Sequence, residues 1–555
     1  MESLCLDTNA GAGLIPSRIR EDSKRQEAMR KGDIIELKID RVAHGGQGVA
    51  RLDGFVVFVK GAVPGDTVKA LVTKKKKDFA EARVVEVVDP SSDRVDAPCP
   101  YFGYCGGCQW QHVRYSQQLE YKRRLVEEAM ARIGGLSEIP IHDATGSEKI
   151  FGYRNKMEFS FSDRPWVIHD HPRLIPTPPL DPLPRGEGKS QELYSPLKGG
   201  EVRDAPPNQH NPPPLVGGAG GGGMPARNDK ETMAEPPRKS EFALGLHVPG
   251  SFHKVLDINA CLLQDAGGNE ILQAVKRFAG ESGIPPYNLK THEGFWRFLT
   301  LRRSVFYKAW MVNIITSEYR RDVVEPLARF LISTFPEVKT VVNNVTARRA
   351  AVAVGEWESV LAGTGVIEDR IGPYGFQVSA NSFFQTNTPG AATLYNKVLE
   401  YAELTGSENV LDLYSGTGTI PIFLSPRSRL VLGMEISESA VEDAGKNCRT
   451  NGIQNSRFIL GDIRTGLSSL AFKPDVVVID PPRSGMHKDV VAKTRDLATE
   501  KMVYVSCNPA TMARDLAEMK DSYEVMEIQP VDMFPHTYHV ESVAKLARKK
   551  APGKK

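Results

Sequence analysis

Four short stretches of this 555-residue chain carry residue types that do chemistry rather than packing. In residues 503–511, VYVSCNPAT, an apolar run stops at Ser506-Cys507-Asn508-Pro509 and sets a thiol where a strand gives way to a turn. Position alone leaves Cys507 three readings: a buried small hydrophobe, a metal ligand or a nucleophile. Cys99-x5-Cys105-x2-Cys108 groups three thiols at ligand spacing, with Gly103, Gly106 and Gly107 allowing the backbone to fold round a metal. Three ligands call for a fourth, and four thiolates hold either zinc or a [4Fe–4S] cluster; spacing leaves the two even. Residues 410–420, VLDLYSGTGTI, run from a strand through a glycine turn into a helix. Asp480-Pro481-Pro482-Arg483 follows a strand with a stiff, extended acidic turn.

The glycine turn marks a nucleotide-type cofactor site. Gly416 and Gly418 allow a ligand to approach the backbone closely, and Glu435, at the end of the next strand, is placed to accept hydrogen bonds from both ribose hydroxyls. Asp462 and Asp480 end the third and fourth strands. A dinucleotide fingerprint G-x-G-x-x-G would carry its third glycine at position 421, where Pro421 stands. That glycine lets helix and strand pack closely, a role proline cannot fill, so S-adenosylmethionine is the better candidate.

These residues need a scaffold, and the strand pattern supplies one. NVLDLY (409–414), RLVLGMEI (429–436), SRFILGD (456–462), DVVVID (475–480) and KMVYVS (501–506) are rich in Val, Ile and Leu, as strands buried on both faces are. Helical stretches such as 439–451 separate them. The pattern predicts an α/β fold, with a doubly wound, Rossmann-like catalytic domain over 381–547. Residues 28–90 alternate apolar and polar types between Gly45-Gly46, Gly54, Gly61 and Pro64-Gly65. That predicts a small β-barrel of about five strands. Residues 91–380 read as a central α+β domain with the cysteine cluster, a helix over 116–133, and strands in NKMEFSFS (155–162) and FALGLHVPG (242–250). Between those strands, 171–240 hold 15 Pro and 10 Gly in 70 residues, which predicts a disordered insertion at a hairpin tip. Residues 1–27 read as a disordered tail and 548–555 as a basic one.

Bulk composition narrows the class. Hydrophobic content of 41% suffices for real cores. The chain has no apolar run of about 18 residues to span a membrane, and residues 1–30 lack a signal-peptide core, so a cytoplasmic protein is expected. Seven cysteines in that setting do not read as a disulfide framework. A net charge of +3 does not announce nucleic acid, although Lys74, Lys75, Lys76 and Lys77 and the Lys-rich end form local basic runs.

The stretches CPYFGYCGGCQWQH, YRNKMEFSFS, NSFFQTN, LDLYSGTGTI, VIDPPRSGM, VSCNPATMARDL and MFPHTYHVESV together resemble the RNA uracil-C5 methyltransferases. They resemble in particular the bacterial iron–sulfur 23S rRNA (uracil-5-)-methyltransferases, over nearly everything except the N-terminal tail and 171–240. Residues 32–88 resemble the TRAM module, a small RNA-binding barrel. The resemblance implies that Cys507 is the nucleophile and Glu541, in HVES, the general base. It implies that Gln385, Tyr414, Glu435 and Asp480 contact S-adenosylmethionine, with Thr419 and Asp462 as weaker contacts. It also makes Cys261, in INACLLQ, the fourth ligand beside Cys99, Cys105 and Cys108, and favours a [4Fe–4S] cluster over zinc. Cys5 and Cys448 read as ordinary tail and helix residues.

Uracil methylation at C5 needs such a pair. The carbon is too poor a nucleophile to take a methyl group directly. A thiolate adding to C6 turns C5 into an enolate carbon that attacks the sulfonium methyl, and a base then removes the C5 proton so that the thiolate can leave. A thiol of ordinary pKa, about 8.5, is only slightly ionised at neutral pH, so the site is expected to help ionise Cys507. Arg483 suits the charge developing on O2 or O4, or a phosphate; His539 shapes a turn. A uracil flipped out of its stack would reach Cys507, with Phe383, Phe384, Arg154, Lys156 and the lysine run as residues to hold the RNA, each reading equally as core or solvated face. The resulting expectation is a cytoplasmic, monomeric enzyme acting on 23S rRNA, with tRNA as the second substrate. The alternatives are a non-catalytic RNA-binding or ribosome assembly factor, against which Cys507 and Glu541 argue, and a radical methylthiotransferase, whose C-x3-C-x2-C spacing the chain lacks.

Overall fold

The computed structural model describes residues 29–166, 242–251, 254–350 and 352–550. The 1–27 tail, the 171–240 insertion and the end of the basic tail lie outside the described residues, while Arg548 ends a strand. Among the described residues no helix is long and apolar enough to cross a membrane.

Residues 34–89 form a six-stranded sheet from β1 (Ile34–Lys38), β2 (Arg41–Val42), β3 (Gly48–Leu52), β4 (Phe55–Lys60), β5 (Thr67–Lys75) and β6 (Phe79–Asp89), in the order β1-β5-β6-β4-β3-β2. The strand beyond the expected five is β2, two residues long and too short to leave an alternation in sequence. Alternation elsewhere becomes burial: Val68, Ala70 and Val72 of β5 turn inward and pack with Leu37, Val57 and Ala82.

An eight-stranded sheet follows, built from β7 (Lys156–Ser162), β8 (Pro165–Trp166), β9 (Ala243–His247), β10 (Val255–Asp257), β11 (Trp296–Arg303), β12 (Trp310–Thr316), β13 (Val338–Val345) and β14 (Trp357–Ala362). Its order is β14-β13-β12-β11-β7-β9-β10-β8. β7 and β9 are antiparallel neighbours with Phe161 opposite Leu244, so the chain leaves one strand and returns on the next. Most of the other strands escape the sequence pattern because β11 and β12 are buried along nearly their whole length and show no period of two. The helices Ala266–Glu281 and Arg321–Thr334 pack on this sheet through Ile271, Val275, Leu327 and Leu331. The helix over Tyr115–Ala129 continues as a π turn, Met130–Gly134, close to the 116–133 expected.

The C-terminal part holds the ribbon β15 (Val366–Ile371) and β16 (Tyr374–Ser379), then β17 (Asn409–Leu413), β18 (Leu430–Glu435), β19 (Ser456–Leu460), β20 (Val476–Ile479), β21 (Lys501–Ser506), β22 (Tyr523–Val531) and β23 (Glu541–Arg548). The last seven form one sheet, ordered β19-β18-β17-β20-β21-β23-β22. β17 to β21 are parallel; β23 runs antiparallel to both its neighbours. Val410, Val478, Val503 and Val505 face the helix Thr388–Ala402, and Leu411, Val477, Met502 and Tyr504 face the helix Pro509–Met519. The doubly wound pattern is thus present, and strand order reverses between β17 and β20, where such sheets open a crevice for ligands. β22 and β23 go unseen in the sequence. Pro530 lies inside β22, and proline argues against a strand.

Candidate active site

Cys507 stands one residue past β21, and Glu541 opens β23. In this antiparallel pair Val505 lies opposite Val543 and Ser506 opposite Ser542. The ladder stops there, and one further step of the same register would bring Cys507 opposite Glu541. Residues so paired have Cα atoms about 4.5–5.5 Å apart and side chains on one face. The residues after the thiol fix its exit from the strand. Asn508 accepts the Ala510 N–H and caps the helix Pro509–Met519, and Pro509 fits the first helical turn. The Asn508 side chain also donates to the Arg483 carbonyl at 3.1 Å, which ties the thiol's turn to the Asp-Pro-Pro-Arg turn.

Glu541 is only 6% exposed. Burial, then the Asp480 charge, push its carboxyl up to about 8, against the pull of Arg483. Burial alone lifts Asp480 to about 7. The Cys507 thiol rises to about 11, through burial first and then through Glu541 and Asp480, with Arg483 opposing. The expectation that the surrounding protein helps ionise Cys507 is therefore corrected: two carboxylates outweigh one guanidinium there. Arg483 Nη2 lies 3.4 Å from Tyr538 Oη and 3.3 Å from His539 Nδ1. Burial and Arg483 hold the His539 imidazole down to about 4, so it is neutral at ordinary pH.

Of the residues expected at the cofactor, Tyr414, Glu435 and Asp480 gather at the carboxyl ends of β17, β18 and β20, while Gln385 stands on the loop before the helix Thr388–Ala402. Tyr414 follows β17 with φ +67°, a left-handed backbone that a non-glycine residue adopts rarely. Gly416 has φ +52° and nothing within 4 Å of where a Cβ would stand, so its open side admits a ligand. Gly418 serves a different end: a Cβ there would meet Ala444 at 2.9 Å and Phe458 at 3.0 Å, so packing requires this glycine. The Glu435 carboxylate accepts the Gly416 N–H at 3.0 Å and the Ile436 and Ser437 N–H groups at 2.9 and 2.8 Å, tying the glycine turn to the end of β18. Gln385 and Thr419 both lie close enough to the buried phenol of Tyr395 to favour its ionised form, against a larger upward push from burial. The loop that carries Gln385 is propped from behind: Asn155 donates to the Gln385 carbonyl at 2.8 Å, and Arg302 donates to those of Ala380 and Ser382 at 3.2 and 2.5 Å. Asp462 is engaged locally, capping a short helix at the Arg464 N–H (2.7 Å) and pairing with the Arg464 guanidinium (2.6 Å).

Asp412 is a site residue that the sequence signals and the motif reading passes over. It sits in β17, fully buried, and neither carboxylate oxygen has a hydrogen-bond partner among the described residues. Burial, then Asp480 and Glu435, hold its carboxyl far above the usual range. Buried polar groups normally have partners, and an orphan carboxyl just before an open glycine turn fits a crevice built for a polar, cationic ligand. The signal was an aspartate inside the apolar run VLDL.

Cys99, Cys105, Cys108 and Cys261 line a single cavity of about 180 Å³, with Gln111 and Arg154 also on its wall. The Gly107 N–H donates to Cys105 Sγ at 3.3 Å and the Gln111 amide to Cys108 Sγ at 3.2 Å. Burial pushes Cys105 and Cys108 up to about 12 and raises Cys99 and Cys261 too. Among the described residues no group of three or more His, Cys, Asp or Glu is spaced to hold one metal ion. Of the residues considered for RNA, Phe383 is 71% exposed while Phe384 is core. Arg154 lies over the Phe534 ring at 5.9 Å, and Lys74 pairs with Glu81 at 3.0 Å.

Residues 358–549 match the tRNA (Uracil-5-)-methyltransferase family, and residues 29–85 match the TRAM domain. An uncharacterized RNA methyltransferase of Chlorobaculum tepidum is 38% identical over 525 residues, covering 93% of this chain and 96% of that protein. One of Halalkalibacterium halodurans is 34% identical over 95% of this chain and all of its own length (100%). Among solved structures, the tRNA (uracil-54, C5)-methyltransferase of Pyrococcus abyssi in complex with S-adenosyl-L-homocysteine superposes with a TM-score of 0.63 at 27% identity, over 92% of this chain and 100% of that one. Register, crevice and relatives agree: the chain belongs to the S-adenosylmethionine-dependent RNA (uracil-5-)-methyltransferases and carries a TRAM domain.

Proposed function

We propose that the protein methylates C5 of one uridine in 23S rRNA through a covalent adduct between Cys507 and C6. Cys507 Sγ adds to C6, C5 takes the methyl group, Glu541 removes the C5 proton, and the thiolate leaves as the ring regains its double bond. The observation that carries this reading is the β21–β23 ladder, whose last pair, Ser506 with Ser542, adjoins Cys507 on one strand and Glu541 on the other, with the charge of Glu541 acting on the thiol. A carboxyl pushed up to about 8 also suits a base working near neutral pH. Gln385, Tyr414, Glu435 and Asp480 hold S-adenosylmethionine, with Thr419 and Asp412 behind them. Bound there, its sulfonium supplies the methyl group and a positive charge that offsets Glu541 and Asp480 around the thiol. A tRNA uridine is the second reading, supported by the named substrate of the Pyrococcus abyssi enzyme.

The four cysteines fit a [4Fe–4S] cluster better than zinc. A lone zinc needs its sulfurs about 2.3 Å from one point. A cavity of about 180 Å³ has the volume of several waters, ~30 Å³ each, and N–H groups directed at two of the sulfurs are a feature of cluster sites. The cluster's place is structural or at the RNA, and the enzyme acts as a cytoplasmic monomer. Iron and acid-labile sulfide near four atoms each per chain would support the cluster; zinc alone would replace it.

The deciding experiment is transfer from labelled S-adenosylmethionine to unmodified 23S rRNA and unmodified tRNA, with the product nucleoside mapped and Cys507→Ala in parallel. Label as 5-methyluridine at one rRNA position, lost in the variant, is the expected result. Label on tRNA keeps the mechanism and changes the substrate, and no label on either RNA sinks the enzymatic reading of this chain.

A further inference from the structure

The turn between β2 and β3 of the TRAM domain reaches the mouth of the catalytic cleft. It closes on itself through Ala43 N–H to Gln47 O (2.8 Å) and Gly46 N–H to Ala43 O (3.0 Å). It is also fastened from outside. Trp110 Nε1 donates to the Gly46 carbonyl at 3.0 Å, and the Trp110 backbone N–H donates to the His536 carbonyl at 2.9 Å. Gly46 has φ +81°, and a Cβ on it would stand 3.2 Å from Trp110 Nε1 and 3.3 Å from Tyr538 Cβ. The turn therefore sits against the loop that leads to Glu541.

His44, at the exposed tip, meets Tyr538 edge-on, with centroids 5.6 Å apart and planes at 74°. Tyr538 lies against His539 at 4.2 Å and 39°. Arg483 Nη2 reaches both Tyr538 and His539, and its charge acts on His44, Cys507 and Glu541 alike. Three rings and one exposed guanidinium thus form a continuous face that ends at the catalytic pair, since Glu541 lies just beyond His539. Both imidazoles are held below the ordinary histidine range, His539 by burial and Arg483, and the solvent-facing His44 by partial desolvation where it packs on the turn and by Arg483, so the face offers uncharged rings with a cation at the edge. Single-stranded RNA is held by such pairings: flat rings take a base by stacking, and arginine takes its phosphate.

We propose that His44, Tyr538, His539 and Arg483 receive the nucleotide adjoining the target uridine, its base stacked on the rings and its phosphate on Arg483. The TRAM domain is then one wall of the substrate cleft and His44 a positioning residue for the reaction. This rests on the RNA-methylating reading above.

The test uses the full chain and a short RNA carrying the mapped uridine, with a second RNA in which the adjoining nucleotide is abasic. His44→Ala raises KM for the intact RNA about tenfold, with a smaller effect on kcat and none on S-adenosylmethionine affinity or melting temperature. His44→Phe, which keeps a ring, restores most of the loss. On the abasic RNA wild type and His44→Ala converge, because the partner base is already gone. Equal losses from the variant on both RNAs, or no loss on the intact one, overturn the proposal while leaving the methyltransferase reading intact. A wild-type protein inactive on every RNA overturns both.

Discussion

At the scale of single residues, the acids of this site are poised against their own function. On the proposed mechanism Glu541 would have to be ionised to take a proton and Cys507 to attack, yet each is held up, to about 8 and about 11. A raised group is protonated below its pKa, so kcat/KM should climb as pH rises from 6 towards 9, with no falling alkaline limb in that window. The rise belongs to the coupled set with Asp480 rather than to one residue. Asp480→Asn removes a like charge from both and should move the rise to lower pH, while weakening S-adenosylmethionine binding. Glu541→Gln should lower turnover by about 10²–10⁴ and leave the RNA–protein adduct standing on a denaturing gel, whereas Cys507→Ala should form none. The place of Cys507, at a strand end before a helix-starting proline, was legible in SCNP, while its role as nucleophile was implied only by the family resemblance. The direction of its pKa was not, because it depends on which acids the sheet brings alongside.

At the scale of elements, β23 brings Glu541 alongside the strand that ends before Cys507, and one buried ion pair anchors the loop that feeds it. Lys122 donates to Asp532 at 2.5 Å, with both side chains fully buried, and to the Phe534 carbonyl at 3.0 Å. Asp532 also accepts the Tyr115 hydroxyl and the Phe534 N–H. Asp532→Ala strands a buried ammonium and should destabilise the protein by about 3–5 kcal/mol, read in denaturant melts. The five parallel strands were legible because burial on both faces writes itself as continuous Val, Ile and Leu. β22 and β23 were not, since polar residues and Pro530 blur the first and the second begins on a catalytic acid. β11 and β12 were hidden for another reason: they are buried along nearly their whole length yet carry Arg297, Thr300, Arg302 and Asn313, so they show neither an alternation nor an unbroken apolar run.

At the scale of the whole molecule, the central segment holds the catalytic loop in place. The N–H groups of Gln109 and Trp110, just past Cys108, both donate to the His536 carbonyl at 2.9 Å. Gln118 accepts the His536 N–H at 2.8 Å, the Tyr153 hydroxyl donates to the Pro535 carbonyl at 3.2 Å, and Phe151 stacks on the His536 ring at 4.3 Å. A fragment limited to the family match, residues 358–549, keeps Cys507 and Glu541 but loses these contacts. It should transfer no methyl group to RNA that the full chain modifies, and protease should cut it within 532–540. Contacts between residues some 400 positions apart, such as Lys122 with Asp532, leave no local pattern in a sequence. The motifs announced the chemistry, and only the folded chain shows what steadies it.

The pairing of β21 with β23 also bears on handedness. Two groups that stand opposite each other across antiparallel strands point to one side. A flat uracil ring laid over them meets sulfur and carboxylate from the same face. On the proposed mechanism sulfur would bond C6 on that face, and the hydrogen taken from C5 would depart from it too. The incoming carbon would then bond from the other face, giving a saturated intermediate with methyl and sulfur trans and a breakdown by syn elimination.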